Sequence, residues 1–298
     1  MIAAHLALRP LLWSLAARRL ILALALVPLL LLSRQALAQG SGQPPQTSSA
    51  QSVPMTPPQH LPSTPDGRRS GFHFMSPATQ ALQRDDAQNP AMLWVGDGLR
   101  AWREPAGRAG NRCADCHGEP KTSMRGVAAR YPAWDAALAR PVSLAHRINL
   151  CRERHQQAPA LAHDNEELLG LEAMIALRSR GLPIEPVTDP RLQPARGQGQ
   201  ALFSTRIGQI ALSCADCHER SAGARLGGSP IPEGHPTAYP IFRLQWQSLG
   251  SLTRRLQGCF TGVRAESPEP FGEIMSALQV FLRERAAGMP HEGPGVRP

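Results

Sequence analysis

The sequence predicts a mainly α-helical chain made of two tandem copies of one small unit, with long irregular loops. Three observations predict it. Gly96-Asp97-Gly98 precedes Cys113 by the same interval that separates Gly197-Gln198-Gly199 from Cys214. Both cysteines open the same string, Cys-Ala-Asp-Cys-His. Each copy then ends in an apolar stretch of helical period. The 29 Pro and 26 Gly supply the irregular stretches, and an aromatic share of 5% leaves each copy a modest core of its own.

The segment before the repeat has two parts. Arg18 and Arg19 precede a mostly apolar run, Leu20 to Leu32, and Ala36-Leu37-Ala38 follows with small residues. This order reads as an export signal over residues 1–38, removed after Ala38. The run is interrupted by Pro28 and is shorter than the roughly 20 residues of a spanning helix. The paired arginines leave the twin-arginine route open beside the general one. No later segment is long and apolar enough to span, so a soluble, periplasmic mature protein is expected. Residues 39–66, rich in Gln, Ser, Pro and Thr, read as a disordered polar linker.

The charge supports that division. The formal +9 includes Arg9, Arg18, Arg19 and Arg34 from segment 1–38, which holds no acid, so the remaining chain carries +5. No basic stripe with interleaved aromatics occurs, which argues against a nucleic-acid partner. A mildly basic surface suits small anions or acidic proteins.

The first unit is expected over 67–186 and the second over 187–298, with the boundary in the Pro-rich stretch 183–194. Each opens with a helix carrying an apolar pair, Ala101-Trp102 or Leu202-Phe203. Each closes with an amphipathic helix, marked by Leu168, Leu171 and Ile175 or by Ile274, Leu278 and Phe281. The closing helices run into related tails, Arg178-Ser179-Arg180-Gly181-Leu182-Pro183 and Arg283-Glu284-Arg285 with Gly288-Met289-Pro290. Gly and Pro there act as stop signals. Residues 291–298 read as a loose tail.

Cys-x-x-Cys-His attaches haem c. Two thiols one turn apart reach the two vinyl groups, and the adjacent His coordinates iron. A redox dithiol or half a zinc site is the alternative for one copy. Two copies, each with its His and each behind the same helix, point to two covalent haems. Cys113, Cys116, Cys214 and Cys217 are the attachment thiols, and His117 and His218 the proximal ligands. The units are thus two cytochrome c-like domains.

Cys151 and Cys259 remain, one per copy. Cys151 follows His117, and Cys259 follows His218 at a somewhat longer interval. Each lies on the loop expected to bring the distal iron ligand. Their one-per-copy placement favours two thiolate ligands over a Cys151–Cys259 disulfide. Met174 and Met275 follow their haem histidines at equal intervals, but they sit in closing helices, where a Met more often fills the core. His146, His155, His163 and His235 are further loop candidates. Arg254 and Arg255 precede Cys259. In a helix Arg255 lies one turn before that cysteine, placed to clamp an oxyanion, or else to pair with a haem propionate or with solvent.

These residues carry a resemblance. Ser70-Gly71-Phe72-His73-Phe74-Met75-Ser76-Pro77, Asn89-Pro90-Ala91-Met92-Leu93-Trp94-Val95, Ile148-Asn149-Leu150-Cys151 and Tyr239-Pro240-Ile241-Phe242-Arg243-Leu244-Gln245-Trp246-Gln247 stand in one order with both haem motifs and the Arg255–Cys259 segment. Over nearly the whole chain after the linker this resembles SoxA, the dihaem cytochrome subunit of the thiosulfate-oxidising Sox complex. The resemblance implies an L-cysteine S-thiosulfotransferase that pairs with the monohaem cytochrome SoxX and joins thiosulfate to a cysteine of the carrier SoxYZ. It implies Cys151 as distal ligand of the first haem. Cys259, often a persulfide in the family, would ligate the catalytic haem, with Arg255 beside it in the active site. The alternative is a dihaem electron carrier without substrate chemistry.

Overall fold

The computed structural model describes Thr64 and residues 66–298. The expected export segment, and all but the end of the polar linker, lie outside the described residues. The described residues belong to one compact unit.

The first copy starts with α1 (Pro77–Arg84), where Ser76 caps the Thr79 N–H and Pro77 takes the first turn. α2 (Ala91–Arg103) is the opening helix and buries Ala91, Val95, Gly98 and Trp102. The short helices α3 (Cys113–His117) and α4 (Pro120–Ser123) follow. A hairpin of β1 (Ala133–Asp135) and β2 (Arg140–Val142) leads into α5 (Leu144–Cys151), capped by Ser143. α6 (Glu166–Leu177) closes the copy. Asn165 caps it, and Glu166 and Glu167 sit in its first turn, where the helix dipole favours acids.

The second copy repeats the plan with α7 (Gln193–Ser204), a small exposed hairpin of β3 (Arg225–Leu226) and β4 (Ser229–Pro230), then β5 (Ile241–Arg243), β6 (Ser248–Gly250), α8 (Leu252–Gly262) and α9 (Glu273–Arg285). Both copies enter the longer hairpin through a cis Tyr-Pro peptide, Tyr131-Pro132 and Tyr239-Pro240.

Opening and closing helices cross where each opening helix carries a glycine. A Cβ on Gly98 would lie 2.1 Å from the Gly170 carbonyl oxygen of α6. One on Gly199 would lie 2.1 Å from the Ala277 carbonyl oxygen of α9. The second glycine of each Gly-x-Gly is therefore the crossing point, and only hydrogen fits between the backbones. Trp102 and Phe203, one turn further on, occupy matched buried positions.

The copies are knitted together. Their related tails pair antiparallel: Gly181 N–H donates to His291 O (2.8 Å), His291 N–H to Leu182 O (2.8 Å), and Ile184 N–H to Met289 O (2.9 Å). Ile184 packs with Ala286 and Met289, and Val187 and Leu192 pack with Val280, so the Pro-rich crossover is a packed segment. Phe242 and Leu249 of the second hairpin complete the first copy's core. Buried Arg283 donates to four carbonyls, those of Arg130 (2.8 Å), Pro132 (2.8 Å), Glu185 (2.9 Å) and Pro186 (2.8 Å).

Three expectations need correction. The tail 291–298 is ordered: β7 (Gly295–Arg297) joins β5 in parallel, with Val296 fully buried and its N–H donating to Gln83 of α1 (3.0 Å). Its alternation is too short to signal a strand until β5 is present to pair with it. Ile274 is 48% exposed, and Met275, Leu278 and Leu282 form the inner face of α9 instead. Cys151, Cys259, His146 and His155 lie on helical backbone rather than loops, because Ser143 and Ser251 cap helices within the long connections.

Candidate haem and anion site

Both attachment strings begin a helical turn. Asp115 accepts from the Arg112 N–H (2.8 Å), and Asp216 accepts from the Ser213 N–H (2.9 Å) and hydroxyl (2.8 Å). The shared Asp is thus a reverse cap that starts the turn bearing the thiols. The Arg220 guanidinium, followed by the Ser213 donors, holds the Asp216 carboxyl well below the usual carboxylate range. Trp102 donates to the Gly118 carbonyl (2.9 Å) and lies with its ring centroid 5.6 Å from that of His117.

The residues present fit haem c. The Nδ1–H of His218 donates to the Pro232 carbonyl at 2.7 Å, which leaves Nε2 with its lone pair for a metal. Gly234, at φ +74°, lies against the same ring, and a Cβ there would come within 2.9 Å of it. The residues that hold His218 come from the extra length between His218 and Cys259, which the β3–β4 hairpin helps to fill. Neither Cys-x-x-Cys pair gathers a zinc-type set of further ligands among the described residues.

The two remaining cysteines go to separate places. All six cysteines are free thiols. Cys151 acts electrostatically on Cys113 of its own motif and is acted on by Cys116. Cys259 acts on Cys214 and Cys217 and lies beside His218. Their environments differ. Burial pushes the Cys151 thiol up, and Arg147 and Arg154 only partly offset it. Burial also raises Cys259, but the neighbouring His218 and the charges of Arg255 and Arg243 outweigh it and bring the thiol below its usual value.

The other ligand candidates are engaged elsewhere or lie outside. Met174 and Met275 are fully buried in the helix-crossing cores. His146 packs on Phe271 with centroids 5.2 Å apart, and burial lowers its pKa. His163 lies 3.1 Å from the Ser251 hydroxyl. His235 lies 3.5 Å from Glu233, and burial brings its pKa down to about 4. His155 is exposed.

The paired arginines separate. Arg254 stacks over Trp246 (4.2 Å) and lies 3.7 Å from Asp164. Arg255, one turn before Cys259 on α8, has no Asp or Glu within ion-pair distance among the described residues. Arg243 at the end of β5 joins it in acting on Cys259 and on half-buried Tyr239. Arg243 carried no signal beyond its place in the family string. Aligning the copies on Cys151 and Cys259, rather than on the haem motifs, would have exposed it.

Among the described residues no helix is long and apolar enough to cross a membrane. Residues 97–184 match the family model "SoxA/TsdA, cytochrome c domain". The L-cysteine S-thiosulfotransferase subunit SoxA of Pseudaminobacter salicylatoxidans is 35% identical over 76% of this chain and 80% of its own length. The SoxA subunit of Rhodovulum sulfidophilum is 32% identical over 80% and 84%. The crystal structure of SoxXA from P. pantotrophus superposes with a TM-score of 0.75 at 30% identity, covering 78% of this chain and 87% of that one. With its two Cys-x-x-Cys-His turns, its crossing helices and this likeness over most of its length, the chain belongs to the SoxA family of L-cysteine S-thiosulfotransferase subunits.

Proposed function

We propose that this chain is a periplasmic dihaem cytochrome that conjugates thiosulfate to a cysteine of a SoxYZ-type carrier, in complex with a SoxX-type monohaem cytochrome. Its units are 67–186 and 187–298, preceded by a signal peptide, 1–38, and a polar linker, 39–66. Cys113 and Cys116 would hold one haem and Cys214 and Cys217 the other. His117 and Cys151 would ligate the first iron, and His218 and Cys259 the second.

The observation that carries this reading is the asymmetry between the two cysteines. Cys259 lies beside His218 in the field of two arginines without Asp or Glu partners, whereas the arginines around Cys151 meet a buried carboxylate. An anion is drawn to the second site. There Arg255 offers a planar fork that matches two sulfonate oxygens. The reaction joins the outer sulfur of thiosulfate to the carrier thiolate, giving a carrier S-thiosulfonate and releasing two electrons. A carrier thiol releases its proton as well. Haem c supplies the electron acceptor when bound, and the electrons pass to the SoxX-type partner. Cys259 takes part as a sulfur at the reaction centre, and a persulfide there would present an outer sulfur for exchange.

The test compares Cys259→Met with Cys151→Met in the SoxX-type complex. Both variants should show an intact mass of the processed chain plus two haems. Cys259→Met should lose carrier thiosulfonation, while Cys151→Met shifts only the first haem's spectrum and keeps substantial activity. Equal losses in both would mean that Cys259 serves ligation or folding alone. A wild-type mass with a single haem would remove the dihaem assignment.

A further inference from the structure

The segments that carry Cys151 and Cys259 are one structure built twice, at a constant offset along the chain. β1 and β2 match β5 and β6 in register, with Asp135 opposite Arg140 and Arg243 opposite Ser248. Ser143 and Ser251 cap the two cysteine helices, Arg147 matches Arg255, and Cys151 matches Cys259. At one position the charge is inverted. Asp135 ends β1, and Arg243 ends β5.

In the first copy the inversion silences the arginines. Asp135, 2% exposed, forms an ion pair with Nη1 of Arg147 at 2.7 Å and accepts from Nη1 and Nη2 of Arg154 at 3.0 and 3.3 Å. Both guanidinium groups near Cys151 are turned to an internal carboxylate. In the second copy the strand end supplies another cation. Arg243 donates through Nε to the main-chain oxygen of Pro298, the last residue of the sequence (2.8 Å), and lies over Trp246 at 5.2 Å. Among the described residues neither Arg243 nor Arg255 has an Asp or Glu within ion-pair distance. Burial, and then the like charge of Arg255, depress the pKa of Arg243. Two half-buried cations acting on one sulfur and on each other are unfavourable alone and become favourable when an anion bridges them.

We infer that Arg243 is a second substrate-binding residue of this site, sharing the dianion thiosulfate with Arg255. The inference rests on the thiosulfate reading above. A sulfonate end presents three oxygens, one guanidinium fork engages two, and the second cation takes up the remaining charge.

The experiment uses the holo complex with the SoxX-type partner and three variants, Arg243→Lys, Arg243→Gln and Arg243→Asp. The readouts are the thiosulfate KM and kcat, the thiosulfate Kd from spectral titration of the haems, and haem content. Arg243→Gln should weaken thiosulfate binding by about 10- to 100-fold, the span of one charge-assisted contact. Arg243→Asp, which recreates the first copy's pairing, should weaken it further, and Arg243→Lys should retain part of it. Haem content should stay at the wild-type level in Arg243→Gln, which decides the matter if Arg243→Asp does not fold. Wild-type KM and Kd in Arg243→Gln, with both haems in place, would overturn the inference and leave the functional reading standing. A wild-type complex without thiosulfate-dependent turnover would overturn that reading itself.

Discussion

Replacing Gly199 with alanine should destabilise the protein, while the same replacement at Gly197, on the same helix, should stabilise it. Both glycines lie within α7, so helix propensity favours alanine at each by about 1 kcal/mol. Their surroundings decide the sign. A Cβ on Gly197 meets nothing within 4 Å. A Cβ on Gly199 would lie 2.1 Å from the Ala277 carbonyl oxygen, 2.7 Å from its carbon and 2.8 Å from the Phe281 Cβ. A carbon and a carbonyl oxygen rest about 3.3 Å apart or more, so α7 and α9 must separate by about 1 Å. The obstacle is backbone and cannot rotate away, which places the overpacking cost at the upper end of roughly 1–3 kcal/mol. The net for Gly199→Ala is a loss of about 2 kcal/mol, against a gain of up to about 1 kcal/mol for Gly197→Ala. For a domain of this size the melting temperature should fall by about 5 °C in the first and rise by a few degrees in the second. Thermal unfolding of the holo protein by far-ultraviolet circular dichroism measures both. A Gly199→Ala variant as stable as wild type, or more so, would refute the close helix crossing.

Glu172 lines a cavity between the copies with Tyr131, Tyr239, Ser251 and Gln279, and burial, then the Asp164 charge, push its pKa up to about 8. The folded state then holds a proton that the unfolded chain has lost above the ordinary value of 4.5, so stability falls as pH rises from there to about 8. Glu172→Gln, which installs the amide that Gln279 supplies at the matched position, should flatten this slope. It should add up to about 5 kcal/mol above pH 8 and almost nothing near pH 4; parallel urea-denaturation profiles across that range would refute the assignment. Arg283→Met removes the fork that ties the first copy's Arg130 and Pro132 carbonyls to the crossover at Glu185 and Pro186. A loss of about 3 kcal/mol or more in urea midpoint stability is expected, with haem spectra unchanged. A midpoint equal to wild type would show the carbonyls to be satisfied without it.

Much of the fold was legible because its signals are local. Cys-Ala-Asp-Cys-His carries its signal in one short string, and the capping residues lie within a turn of the helices they start. The repeat followed from offsets along the chain, and so did the pairing of one spare cysteine with each motif. Arg255 could be placed because a helix puts positions one turn apart on one face.

What the sequence left open depends on partners far away in the chain. Gly98 and Gly199 were visible as punctuation, but their role at a crossing needed α6 and α9 beside them. The final strand reads as tail because so short a segment carries no period, and it is ordered only by β5 and by Gln83, near the opposite end of the described chain. Ile274 fits the helical period but falls on the outer face, since packing against α7, not period alone, selects which stripe is covered. The same limit hides the contrast between Arg147 and Arg255. Both stand one turn before a cysteine in matching helices, and along the chain they are equivalent. Only the hairpin, by bringing Asp135 to one and Arg243 to the other, makes one arginine an internal ion pair and leaves the other without an Asp or Glu partner among the described residues, because charge acts through space and not along the sequence.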